Sequence, residues 1–184
     1  MRVLGIDPGS LVTGYGVVGS SAGGALVHLL DGCVRTDPAM PLPGRLVAIR
    51  DAIDGVIKEW RPDAVVVESV FFAKNARSAI VLGHARGVIL MCAAQGGLPI
   101  FEYAPRTIKL AVTGYGNAAK VQMQKMVKLL LKTDKAAKAD AADALAAAIC
   151  HIHHCRLPQS ANAAPRKAVA CKAVNIPAGT DTGA

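Results

Sequence analysis

Aromatic side chains are scarce in this chain: Phe, Tyr and Trp make up 4% of 184 residues, with one Trp, three Tyr and three Phe. Long apolar runs are missing as well. The longest contenders are interrupted by Asp140, Asp143, Arg86 or His84 before the roughly 18 residues that cross a bilayer, so no membrane association is expected. Cysteine pairing is equally poorly served, because the five cysteines (33, 92, 150, 155 and 171) are odd in number and contain no Cys-x-x-Cys. They read as reduced thiols. The opening Met1-Arg2-Val3-Leu4-Gly5-Ile6-Asp7 reaches an acid before a signal-peptide core can form, and a cytosolic protein is expected.

What is abundant is aliphatic and basic. Hydrophobic residues make up 52% of the chain, 21 Lys and Arg face 13 Asp and Glu, and the formal charge is +8. The excess is local: residues 102–138 carry eight basic and two acidic groups, whereas residues 1–101 are nearly balanced. Arg106, Lys109, Lys120, Lys125, Lys128, Lys132, Lys135 and Lys138 form a basic stripe that runs into Asp140 and Asp143. A polyanion reader needs the lysines, since each phosphate neutralised releases counterions. The carboxylates would repel phosphate unless a cation lay between, and a solvated helix face beside two chance acids is the alternative.

Apolar runs end at Asp7-Pro8-Gly9 and continue over Thr13–Val18 and Ala25–Arg35, which predicts three strands. Leu46, Ile49, Ile53, Val56, Ile57 and Trp60 recur at helical spacing up to Arg61-Pro62. Asp63–Glu68 predicts a strand buried on both faces, Ser78–Gln95 a helix and Leu98–Tyr103 a fifth strand. Helix follows from Pro105, interrupted at Thr113-Gly114-Tyr115-Gly116, and again over the alanine-dense 139–155. This order predicts an α/β fold with a mixed sheet flanked by helices over residues 1–155, and a disordered basic tail over 156–184. The Thr-Gly-Tyr-Gly at 13–16 recurs at 113–116 with unlike flanks, a coincidence of sequence.

Four carboxylates close buried elements. Asp7 ends the first strand, Glu68 the fourth, and Asp140 and Asp143 stand at i and i+3 on one helix face. Ionised carboxylates are costly to bury without partners. Each acid has an ordinary explanation, as turn former or first-turn helix acid. Together, beside the basic stripe, they favour a site for a hard divalent cation, because all-oxygen ligands select Mg²⁺ or Mn²⁺ over Zn²⁺.

Gly5-Ile6-Asp7-Pro8-Gly9-Ser10 with Thr13-Gly14-Tyr15-Gly16, Glu68 followed by Val70-Phe71-Phe72-Ala73-Lys74-Asn75, Gly83-His84-Ala85-Arg86-Gly87, and Ala139-Asp140-Ala141-Ala142-Asp143-Ala144-Leu145 together resemble the RuvC family of bacterial Holliday junction resolvases. The match keeps its order from about residue 2 to 155. Ser69, Ala119 and the tail depart from the family pattern. The resemblance implies a ribonuclease-H-like mixed five-stranded sheet, a homodimer, and metal-dependent cleavage of four-way DNA junctions that leaves 5′-phosphate and 3′-hydroxyl nicks. It implies Asp7, Glu68, Asp140 and Asp143 as catalytic metal ligands for two Mg²⁺ ions, with Mn²⁺ able to substitute. Lys109 and Lys120 match basic positions near the family's active site, and Phe71 an aromatic that handles the junction. A bacterial cytoplasmic location and a RuvA–RuvB branch-migration complex as partner are implied too.

On this reading Lys120 stabilises charge building on the scissile phosphate, a solvated lysine being the alternative. Lys74, Arg77 and Lys125 are further expected DNA contacts. An exposed aromatic after the Glu68 strand could stack on unpaired bases, whereas core packing is the ordinary role of a Phe pair. Ala79, Gly83 and Gly87 recur every four residues and suit either packing on the sheet or a symmetric helix contact in a dimer. In Cys150-His151-Ile152-His153-His154-Cys155 only i, i+4 pairs converge, two ligands short of a zinc site. Two rival readings remain. A sugar-kinase-like phosphotransferase shares the Gly-x-Asp-x-Gly-Ser loop but needs a second phosphate loop that is lacking, and a junction binder without activity would not need the acids.

Overall fold

Alternation along short apolar strands sets the layering. The computed structural model describes residues 1–21, 23–69, 76–134 and 137–156. Phe71, Phe72, Lys74, Lys135 and the expected tail beyond Arg156 lie outside the described residues. The elements are β1 (Arg2–Asp7), β2 (Val12–Ser20), β3 (Leu26–Arg35), α1 (Leu42–Trp60), β4 (Ala64–Glu68), α2 (Ala76–Gln95), β5 (Ile100–Tyr103), α3 (Pro105–Thr113), α4 (Lys120–Leu131) and α5 (Ala139–Arg156). They form one five-stranded sheet in the order β3-β2-β1-β4-β5. β1 pairs antiparallel with β2 and parallel with β4, and β4 pairs parallel with β5.

Successive side chains of a strand point to opposite faces. Val3, Val18 and Val66 accordingly pack with α3, α4 and α5, while Leu4, Ile6, Val17, Val65 and Val67 pack with α1 and α2. The same parity sends Asp7, two and four residues past Gly5 and Val3, and Glu68, two past Val66, to the α5 face. β1 and β4 are parallel neighbours, so both acids stand at adjacent carboxyl ends of the sheet.

α1 ends where the sequence predicts. Arg61 takes a left-handed conformation (φ 44°) and its N–H meets the Ile57 carbonyl, after which Pro62 cannot prolong the helix. The helical stretch after Pro105 breaks at Gly114, whose φ of 76° suits glycine, and resumes at Lys120. Ala119 offers no side-chain oxygen to cap α4. Gln122 supplies half of a capping box instead, its Oε1 accepting the Ala119 N–H at 2.8 Å.

α5 lies unusually close to the sheet, and three glycines permit it. A Cβ on Gly5 would sit 1.9 Å from the Ala144 carbonyl oxygen, one on Gly14 2.1 Å from the Asp140 oxygen, and one on Gly16 2.5 Å from Leu145. Gly5 and Gly16 are register partners, and Gly14 is opposite Asp7. The first turn of α5 is therefore pressed onto the strand end that carries Asp7.

The strip Ala79, Gly83, Gly87 on α2 is exposed, and a Cβ on Gly83 or Gly87 would meet nothing within 4 Å. Packing on the sheet is thus set aside; Ala85, Ile89, Cys92 and Ala93 face it. α2 also corrects the expectation that Arg86 and His84 leave no membrane-length segment. By length and hydropathy, 1.3 over an 18-residue window that is 22% buried, Ala76–Gln95 could cross a bilayer. Arg86 instead ties it to the sheet through Glu102.

Gly5→Ala should collide with α5 backbone, which cannot swing aside as a side chain would. A loss of at least about 1–3 kcal/mol in urea unfolding is expected, the cost of overpacking. An unchanged midpoint would show that α5 can shift freely.

Candidate active site

The sheet delivers Asp7 and Glu68, and α5 delivers Asp140 and Asp143 from its first turns, to one end of the fold. Asp7 is at the centre. Burial, then the fields of Glu68, Asp143 and Asp140 in that order, push its carboxyl from 3.8 up to about 7, with Lys120 opposing. Glu68 is raised too, by burial and then by Asp143, while Lys109 and Lys120 lower it. Asp140 has a different second neighbour. Its charge raises the Cys33 thiol on β3, to which burial contributes more. Asp143 thus faces β4 and Asp140 faces β3, with Asp7 between them.

Lys120, the first residue of α4, joins this cluster. Its Nζ lies 3.0 Å from Asp143 Oδ2, and that hydrogen bond is the main reason its pKa is raised. Glu68, Lys109, Lys120 and Asp143 line a cleft of about 270 Å³ with Pro105, Ile108, Met123 and Ala146. Among the described residues, no three acid, imidazole or thiol side chains gather tightly enough to hold an ion unaided. The carboxylates feel one another, and among the described residues Lys120 and Lys109 offset them only in part. An all-oxygen donor set with a surplus of negative charge fits hard divalent cations.

The basic stripe of the sequence is not one surface. Lys109 and Lys120 face the acids. Lys128, Lys132 and Lys138 line a separate cleft of about 550 Å³ with His28, Asp31, Cys33 and Asp134. Lys125 borders a third groove, with Tyr115, Met126 and Leu129, apart from the carboxylates. Arg77 is exposed near the start of α2. Lys120, Lys125 and Lys128 all belong to α4, so their different positions along and around one helix divide the lysines.

Three supports escaped the sequence reading. Thr13 is buried, and its Oγ1 donates to the Gly9 carbonyl at 2.5 Å, fixing the turn that follows Asp7. A buried hydroxyl two residues into an apolar strand was the available signal. The glycines at 5, 14 and 16 are the second support, and Arg86, within hydrogen-bond distance of the Glu68 carbonyl, is the third. The histidine-rich end of α5 serves packing. His151 Nδ1 shares a hydrogen bond of 2.9 Å with the Tyr103 hydroxyl, and its ring lies 4.2 Å from that of Phe101. Burial drops its pKa from 6.5 to about 4, so it is neutral. His153 Nδ1 is 3.0 Å from the Ala111 carbonyl oxygen, and His154 Nδ1 is 2.8 Å from that of Cys150.

The raised Asp7 pKa makes a stability prediction for metal-free protein. Between pH 3.8 and about 7 the folded state keeps a proton that the unfolded chain gives up. The stability this contributes is fully present below the lower value and is lost as pH rises through the upper one. Asp7→Asn should therefore melt higher than the parent at pH 8, with a smaller difference at pH 5. A difference independent of pH would contradict the shift.

Known proteins share this arrangement over most of the chain. The family model for crossover junction endodeoxyribonuclease RuvC matches residues 3–151. The Pelobacter propionicus crossover junction endodeoxyribonuclease RuvC is 51% identical over 169 residues, 91% of this chain and 96% of its own. That of Myxococcus xanthus is 49% identical over 169 residues, 91% of this chain and 88% of its own. Among solved structures, Thermus thermophilus RuvC in complex with a Holliday junction substrate superposes with a TM-score of 0.80 at 36% identity, covering 85% of this chain and 95% of that one. The yeast mitochondrial Holliday junction resolvase Ydc2, at 14% identity and a TM-score of 0.59, shares the fold over 82% of this chain and 77% of its own. A match that spans β1 through most of α5, and so every element bearing the four acids, makes the chain a member of the RuvC family of crossover junction endodeoxyribonucleases.

Proposed function

We propose that the chain resolves Holliday junctions by hydrolysing phosphodiesters at the Asp7 cluster, with two Mg²⁺ ions held by Asp7, Glu68, Asp140 and Asp143 and with Mn²⁺ as a substitute. The observation that carries this is the convergence of four carboxylates at one end of the sheet, where the other three raise the pKa of Asp7 and Lys120 and Lys109 offset them only in part. Divalent ions held by these carboxylates would supply that balance, polarise the phosphate and acidify a water for use as the nucleophile. On this reading Asp7, whose carboxyl feels Glu68, Asp143 and Asp140 alike, would be the ligand shared between the two ions. Lys120 offers an ammonium at the mouth of the cleft, where it can leave Asp143 for a phosphate oxygen as negative charge develops. Lys109, on the wall of the same cleft, binds the backbone alongside. The products are nicks with 5′-phosphate and 3′-hydroxyl ends.

Paired nicks need two centres, and the exposed strip of α2 is the surface we assign to a homodimer. Ile80, 61% exposed, and Met91, 43% exposed, extend the apolar face around Ala79, Gly83 and Gly87. Flat glycine surfaces let two helices approach closely, and a twofold axis makes the contact self-complementary. Arg77, and Phe71 and Lys74 between β4 and α2, complete the DNA-contacting set on this reading, with Lys125 more distant. Residues 1–155 act as the nuclease domain with 156–184 as a basic extension, in the bacterial cytoplasm and in company with a RuvA–RuvB branch-migration complex.

The central test is a labelled four-way junction with Mg²⁺ beside a linear duplex. Symmetric, ligatable nicks in the junction alone are expected, and Asp7→Asn should abolish them while leaving junction binding in place. Equal nicking of duplex and junction would sink the structure selectivity. Lys120→Ala should lower the single-turnover rate more than it weakens binding; the reverse would restore a solvated lysine. Gly83→Leu, at an exposed position where an added Cβ meets nothing within 4 Å, should shift sedimentation toward monomer without unfolding the protein. A variant that stays dimeric would remove α2 as the interface.

A further inference from the structure

We infer that Arg86, on α2, is a positioning residue for Glu68, holding the end of β4 from the face opposite the carboxylates. The inference rests on the reading of Glu68 as a metal-holding group.

Glu68 is the last residue of β4, and the strand offers its backbone little beyond that point. The N–H of the following peptide, on Ser69, donates to the Tyr103 carbonyl at 2.9 Å. The β1–β4 ladder stops one pair earlier, at Ile6 and Val67. Arg86 Nη1 takes up the Glu68 carbonyl at 2.8 Å. Its Nη2 meets Glu102 Oε1 on β5 at 2.5 Å. Parity explains how both are reached at once. Ile100 packs with α1 and α2, and Glu102, two residues on, shares that side, whereas Phe101 and Tyr103 pack on the α5 side.

One planar guanidinium with two N–H groups in fixed relation thus clamps the ends of two parallel strands to one helix. Lysine has a single point of charge and cannot serve both acceptors in the same geometry. Glu102 neutralises the guanidinium on the α2 side, so Arg86 acts on Glu68 through the backbone rather than by opposing its carboxylate. The Arg86 side chain is 16% exposed and Glu102 42%, so water reaches the clamp from the Glu102 side. Arg86 also neighbours Gly87 of the outward strip, so a displacement of α2 reaches the Glu68 peptide through one side chain.

Partners that orient metal ligands from behind typically carry 10–100-fold in metal affinity or activity. The experiment compares wild type, R86Q, R86K, E102Q and E68Q by four readouts: Mn²⁺ binding to DNA-free protein by titration calorimetry, junction affinity without metal, single-turnover cleavage against Mg²⁺ concentration, and thermal melting. R86Q should weaken Mn²⁺ binding about tenfold or more and raise the Mg²⁺ midpoint of cleavage, with junction affinity within about twofold of wild type. R86K and E102Q should fall between, and they carry the test should R86Q not fold. If the Arg86 variants melt lower but keep Mn²⁺ affinity and the Mg²⁺ midpoint, Arg86 merely ties helix to sheet and the inference fails. If E68Q itself keeps wild-type Mn²⁺ affinity, the metal reading of Glu68 fails first, whatever Arg86 does.

Discussion

Repulsion between like charges is the condition under which everything else in this molecule is built. Four carboxylates are useful to a hydrolase only when close, and closeness raises the energy of each. Asp7 shows the cost: burial first, and then its three acidic neighbours, push its carboxyl up to about 7. Within the cluster Lys120 pairs with Asp143 and offsets the repulsion only in part, so most of the force must come from outside it. The sheet provides part, by ending two parallel strands side by side. Burial of α5 against β1, β2 and β4 provides the rest, and it is effective because glycines at 5, 14 and 16 let backbone meet backbone.

The supports are distributed so that each acid is secured from a different direction. Thr13 fixes the turn beyond Asp7. Arg86 and the Ser69–Tyr103 hydrogen bond fix the end of β4 on two sides. Tyr103 then reaches across to His151 on α5, joining the strand next to Glu68 to the helix that carries Asp140 and Asp143. The low pKa of His151 keeps that joint uncharged within an apolar layer, where an imidazolium would need a partner.

The acids were legible in the sequence because their signals are local. Asp7 and Glu68 end apolar runs, and Asp140 and Asp143 share a helix face by spacing alone. The succession of strands and helices along the chain was likewise read from apolar runs and periodicity, with boundaries a residue or two off at β2, β3, β4, α2, β5 and α5, while the order of strands within the sheet was not. What was not legible depends on contacts between distant segments. Gly5, Gly14 and Gly16 look like ordinary loose strand positions until α5 lies on them. Arg86 looks like a charge that interrupts an apolar helix, and only the sheet edge shows what it holds. The lysines of residues 102–138 read as one stripe, but those of α4 alone, spread along and around the helix, border three clefts.

The two-residue repeat of β1 and β4 has a consequence for how such a gene can change. Replacing a valine by isoleucine in either strand leaves Asp7 and Glu68 on the α5 face. Removing a single codon between Val3 and Asp7, or between Ala64 and Glu68, turns the acid through the plane of the sheet into the apolar layer under α1 and α2. The site therefore tolerates changes of side-chain identity in these strands far better than changes in their length. Variation in length is left to the connections, such as the loop between β3 and α1, where no carboxylate depends on the count.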